Sequence, residues 1–297
     1  MKENIMKNSL LTVLCLIIST LFCDAKDATE VGYTAKYTID IHGKTDKVQF
    51  VCLIPQTIEY VQQVHSINYS RPPYRVFDKD GNRYAEFLLL SEKGVVTIEI
   101  SAQLTLFKHT LQDAKKGKKV CFEVTDKHLL SEKFIEKDDR LIQSIGLSVM
   151  NLDTLKRIRK LCNYVKQNMT YTGYNRREVG AAKALEQLGG DCSEFADVFV
   201  ALCRSCHIPA MTVEGYMLTY SITPKHSWAE VYCGRDGWVR FDPTVGITSD
   251  VNKLSNKYIQ LSMVRNDDVL NGGHFYHYTY WGDPVFINED VSFQYSR

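Results

Sequence analysis

The segment Gly189-Gly190-Asp191-Cys192-Ser193-Glu194-Phe195-Ala196 constrains everything around it. Two glycines stop a short helical run over residues 181–188. Asp191 is a favourable N-cap, and Phe195, Val198, Phe199, Leu202 and Cys206 follow at helical spacing. The pattern predicts a buried helix with Cys192 in its first turn. Unpaired backbone N–H groups and the positive end of the helix dipole gather there. Such a place stabilises a thiolate, the nucleophilic form of cysteine, and can receive an oxyanion.

Two later segments supply partners for that thiol. His226-Ser227-Trp228-Ala229-Glu230-Val231-Tyr232 begins a strand with a histidine, and Trp238-Val239-Arg240-Phe241-Asp242 ends one with an aspartate. Cys, His and Asp are the nucleophile, base and orienter of an acyl-transfer site. The two strands read as a hairpin around residues 234–237. His226 and Asp242 then share a face only in one kind of register. Pairing Cys233 with Trp238 puts them on opposite faces. Pairing Cys233 with Gly237, or a bulge, puts them together, and this is the expected arrangement.

The chain has 297 residues, enough for one large domain or two ordinary ones. Its 44% apolar and 24% charged content is that of a globular protein, and a net charge of +1 argues against nucleic-acid or membrane-surface binding driven by charge. Lys2 and Lys7 precede an apolar run over residues 10–22, with Cys23 and Ala25 beyond it. This pattern suits a signal peptide over residues 1–25, cleaved after Ala25 to export the mature chain. The alternative is lipidation and membrane attachment at Cys23, against which the preceding Phe22 counts. Seven cysteines remain after cleavage, an odd number, so at least one stays free or pairs between chains.

From residue 26 to about 134 the pattern is strands. Residues 33–41, 47–54 and 95–106 alternate, and Asp78-Lys79-Asp80-Gly81-Asn82 is a turn. A β-sandwich domain over residues 26–140 is expected, with no set of catalytic residue types in it. Ala114-Lys115-Lys116-Gly117-Lys118-Lys119 reads as a solvated basic loop, and the charged residues 131–140 as a linker. Asn151 or Asp153 caps a helix carrying Leu155, Ile158, Leu161, Cys162, Val165 and Met169. Further strands are expected near residues 211–216, 274–281, 284–287 and 291–295, within a second domain over residues 141–297.

The blocks around Cys192, His226 and Asp242, with Ile208-Pro209-Ala210 and Gly215-Tyr216, resemble the transglutaminase-like superfamily. The resemblance covers about residues 150 to 250. It implies an α+β fold with a papain-like core and a Cys192–His226–Asp242 triad. His207 departs from it, standing where the family usually has glycine. Members include cross-linkers, amide or peptide hydrolases and inactive binding relatives. The expected activity is exported, cysteine-dependent hydrolysis of an amide or peptide bond in a peptide or protein substrate. The alternatives are protein-glutamine cross-linking and a binding module without catalysis. Hydrolysis is preferred because no dedicated amine site or calcium switch is marked. The Cys192 backbone N–H is expected in the oxyanion hole. Tyr171 or Tyr174 can add a side-chain donor, and Trp228 can line the substrate side or the core.

A competing motif is Cys203-Arg204-Ser205-Cys206-His207, whose spacing is that of covalent haem attachment. It lies at the end of the Cys192 helix with Cys206 on the apolar face, and coincides with the family's helix end before Ile-Pro-Ala. No cofactor and no metal are therefore expected.

Overall fold

The computed structural model describes residues 28–174, 177–219, 225–244 and 256–295. The expected export leader and Cys23 lie outside the described residues. Six strands come first: β1 Ala28–Ile41, β2 Thr45–Leu53, β3 Gln62–Tyr69, β4 Arg75–Lys79, β5 Asn82–Leu90 and β6 Gly94–Phe107. Alternation builds them. In β1, Val31, Tyr33, Ala35, Tyr37 and Ile39 all point inward, and the β6 register sets Ile98, Ile100 and Ala102 opposite Tyr37, Ala35 and Tyr33. Asp80 and Gly81 both take positive φ, 49° and 85°, in the two-residue turn between β4 and β5.

Five helices and six strands follow: α1 Leu111–Lys115, α2 Arg140–Leu147, α3 Thr154–Asn168, β7 Thr170–Tyr171, α4 Ala181–Gln187, β8 Gly189–Gly190, α5 Cys192–Ser205, β9 Ala210–Met217, β10 Lys225–Tyr232, β11 Trp238–Phe241 and β12 Tyr258–Ser262. Two more strands, β13 Tyr276–Gly282 and β14 Val285–Tyr295, end the described chain. No helix among the described residues is long and apolar enough to cross a membrane.

The tail strands join sheets that the first strands begin. β14 pairs with β1 and β13 with β2, giving two antiparallel sheets ordered β14-β1-β6-β3 and β13-β2-β5-β4. The sheets are thus built from both ends of the chain, and no N-terminal segment makes them alone. The physical reason is that β1 and β2 each have a second edge whose N–H and C=O groups need partners. The inner faces of the two sheets meet, with the Tyr37 and Phe50 rings 4.7 Å apart.

The third sheet runs β11-β10-β9-β12, all antiparallel. Helix α5 packs on β9 and β10 with one side and on α2, α3 and α4 with the other. Every residue from Ser193 to Arg204 is consequently buried. The segment expected as a linker ends in the N-cap of α2, where the Asp139 carboxylate accepts the Leu141 and Ile142 N–H groups. The basic stretch begins in α1 and runs into the loop after it.

Candidate active site

Asp191 caps α5 as expected. Its carboxylate accepts the Ser193 N–H at 2.8 Å, and Glu194 Oε2 accepts the Asp191 N–H at 2.9 Å. Cys192 is the first helical residue. Gly190 makes the cap possible, since a β-carbon there would lie 2.4 Å from that of Glu194. Parallel pairing of β7 with β8 brings Tyr171 beside Gly190, and its ring lies 6.1 Å from that of Phe195.

The β10–β11 register is the odd-loop one expected from the sequence. Tyr232 faces Trp238, Cys233 N–H donates to Gly237 C=O at 2.8 Å, and the connecting loop has three residues. One step beyond Ala229 and Phe241, the pairing sets Trp228 opposite Asp242. His226 lies two residues from Trp228, so it shares the face of Asp242.

Side chains then meet. His226 Nε2 donates to Asp242 Oδ2 at 2.6 Å. The Cys192 side chain acts on the same imidazole, adding to the rise in its pKa. With Nε2 committed to Asp242, the nitrogen available to sulfur is Nδ1. The Tyr258 hydroxyl donates to Asp242 Oδ2 at 2.8 Å, and Thr244 donates to Oδ1 through its N–H at 2.9 Å and its hydroxyl at 2.6 Å. Ser193 and Ser227, the neighbours of Cys192 and His226, join their hydroxyls at 3.2 Å.

The electrostatics follow the geometry. Burial works against the His226 imidazolium, but the Asp242 carboxylate and the Cys192 side chain outweigh it and raise its pKa to about 10. Burial likewise works against the Asp242 anion, yet His226, Thr244 and Tyr258 hold its pKa below the usual carboxylate value.

Trp228 is placed differently from a substrate-side residue. It is fully buried, stacked behind His226 at 6.1 Å and edge-on to Tyr258 at 5.1 Å. Tyr171 is exposed at the site's rim, and Tyr174 is exposed in the loop beyond it. The seven described cysteines are all free thiols. Cys203 and Cys206 are buried in the helical core, where Cys206 donates to the Gly146 carbonyl at 3.4 Å. His207 takes the left-handed conformation, φ 59°, that ends α5 and for which glycine is usual.

Sequence reasoning missed Thr244, Tyr258 and a separate ionic cluster. Arg265 is buried, with Nε donating to both Asp197 oxygens at 3.0 and 3.1 Å and Nη2 to Glu178 at 2.6 Å. Glu214 lies 3.9 Å from its Nη1. His274 bridges Glu214 at 2.9 Å and Glu178 at 3.2 Å, and these carboxylates raise its pKa to about 11. The sequence signal was that Asp197 and Glu214 fall within an otherwise apolar helix and strand.

Residues 146–243 match the model of the transglutaminase-like superfamily. A stretch of 81 residues is 39% identical to the Bacillus subtilis "Uncharacterized protein YebA"; it takes in 23% of this chain and spans 11% of that protein. A solved structure described as a "Putative Cysteine Protease from Cytophaga hutchinsonii" superposes with a TM-score of 0.64 at 17% identity, over 91% of each chain, so the two share a fold. The periplasmic domain of TgpA from Pseudomonas aeruginosa aligns over 72% of this chain and 78% of that one, at a TM-score of 0.38 and 12% identity. That likeness is too low to carry an argument.

Proposed function

We propose that the transglutaminase-like segment makes this chain a cysteine-dependent acyl-transfer enzyme, hydrolysing amide or peptide bonds outside the cytoplasm. The observation that carries the reading is the buried His226–Asp242 pair, with half-buried Cys192 at a helix N-terminus acting on the same imidazole. Export rests on the leader-like pattern of residues 1–25.

The reaction runs in two halves. The Cys192 thiolate attacks the substrate carbonyl while imidazolium His226 stands beside it. The Cys192 N–H, first in the helix, faces the developing oxyanion, and Tyr171 at the rim supplies a second donor. His226 gives its proton to the departing amine, the C–N bond breaks, and a thioester on Cys192 remains. Neutral His226 then takes a proton from water, whose oxygen attacks the thioester. The carboxylic acid leaves and the thiolate–imidazolium pair returns. Asp242 keeps the ring oriented and steadies its positive form throughout.

The pH dependence tests this. His226 must stay protonated to serve the leaving amine, so kcat/KM is expected to fall on the alkaline side with a midpoint near 10. Asp242→Asn removes the carboxylate that raises His226, so the midpoint should move down toward the ~6.5 of a free imidazole. It should also lower kcat by roughly 10²-fold or more. An unchanged alkaline limb in that variant contradicts the assignment. The same linkage acts on stability. The pair contributes fully below pH ~6.5. That contribution is lost as pH rises through about 10. New amine termini, rather than isopeptide cross-links, are the expected products from a denatured protein substrate.

A further inference from the structure

Among the described strands, β12 lies at the edge of the sheet that carries His226, with β9 as its neighbour there. It starts with Tyr258, whose hydroxyl rests on Asp242. An edge strand exposes a row of N–H and C=O groups that need partners. Here the partners are side chains from the other two sheets. Gln62, at the start of β3, places its carboxamide against Gln260. Its Oε1 accepts the Gln260 N–H at 2.9 Å and its Nε2 donates to the Gln260 C=O at 2.9 Å. One primary amide thus makes both bonds that a neighbouring strand would make. Asn82, at the start of β5, holds the far end. Its Oδ1 accepts the Met263 N–H at 2.8 Å, and its Nδ2 donates to Ser262 Oγ at 3.1 Å and Asp267 Oδ2 at 3.2 Å. Tyr84 of β5 donates to that same Asp267 oxygen at 2.5 Å. Gln62 and Asn82 are each 0% exposed, so these bonds are made away from water.

We propose that the two sheets built from the chain's ends are a brace for the site. Gln62 and Asn82 hold β12 in place, β12 holds Tyr258, and Tyr258 keeps Asp242 aligned with His226. Gln62, Asn82 and Tyr258 are then positioning residues. This rests on Cys192 being the nucleophile that His226 activates. The physical case is one of tolerance. A displacement of about 1 Å in a catalytic group costs on the order of 10²-fold in rate. An edge strand has an unpaired side, so what binds that side helps to fix its position. The arrangement also explains why a polar carboxamide is buried at Gln62, where an apolar side chain would leave Gln260 N–H and C=O unsatisfied.

The test uses the full-length chain and the variants Gln62→Met, Tyr258→Phe and their combination. Gln62→Met keeps the length of the side chain and removes its hydrogen bonds. If that variant does not fold, Gln62→Glu, which keeps the acceptor and loses the donor, is read in its place. Alkylation of Cys192 by iodoacetamide is followed from pH 5 to 10 by peptide mass spectrometry, which separates it from exposed Cys121, alongside thermal melts. Each single variant is expected to slow Cys192 alkylation at pH 6 by about fivefold to tenfold, with Cys121 unchanged. The alkaline limb of kcat/KM on a peptide substrate, recorded alongside, should move to lower pH in each. The combination should do little more than either single change, because both act through the same hydroxyl. Fully multiplicative effects, or a Gln62 variant that melts earlier but reacts like wild type, overturn the brace. A wild type whose Cys192 reacts no faster than in His226→Ala overturns the reading of the site itself.

Discussion

A Cys192→Ala variant is expected to lose turnover by on the order of 10⁴-fold or more, while melting within about 2 °C of wild type. The two halves of this result have separate causes. Among the described residues, Cys192 is the one thiol that acts on His226, so no second thiolate can take over the attack. Its side chain is half-buried at the helix end and lies outside the apolar clusters. Alanine is a good helix former, and the cap depends on Asp191 and Glu194, which the change leaves intact. Kinetics on a peptide substrate and a thermal melt together give the answer. A variant that unfolds while the survivors stay active would show a structural thiol.

The largest stability loss is expected at Arg265, well away from the thiol. Arg265→Met keeps much of the volume and removes the charge that three buried or half-buried carboxylates face: Asp197, Glu178 and Glu214. Stranding like charges in the interior costs about 3–5 kcal/mol. For a chain of this size that corresponds to a fall in Tm of roughly 10 °C. Arg265 is what offsets burial at Asp197, whose pKa burial still lifts to about 7. The deficit should therefore shrink when pH is lowered from 7 toward 5, as the freed carboxylates take up protons and stop repelling one another. Denaturation curves at the two pH values measure this. A loss that is the same at both points to packing rather than charge.

Local and short-range features were legible in the sequence. Asp153 caps α3 by accepting the Lys156 N–H at 3.0 Å, as its position before an apolar helical stripe suggested. Cys192 begins a helix because glycines and an aspartate precede it. The three-residue hairpin loop followed from the need to place His226 and Asp242 on one face, and Gly237, with φ 72°, turns the chain there.

Partners distant in sequence were not legible. Nothing in the alternation of residues 285–295 says that they pair with residues 31–41. Tyr258 is one of 17 tyrosines, and only the meeting of β12 with the end of β11 singles it out. Gln62 and Asn82 read as ordinary polar residues beside a strand and a turn, because their partners lie 198 and 181 positions away. Gly215 is similar. It stands opposite His226 in β9, where a β-carbon would meet the Ile259 carbonyl oxygen at 1.9 Å, a constraint set by the close approach of β12. Trp228 follows the histidine by two, and the sequence left it open to the core or to the substrate side. That same spacing is what buries it behind the ring.

The central claim is that His226 activates Cys192, and alkylation at pH 6 tests it most directly. Cys192 should react with iodoacetamide at least about tenfold faster in wild type than in His226→Ala, while exposed Cys121 reacts alike in both. Equal rates at Cys192 in the two proteins, matching Cys121, would contradict it.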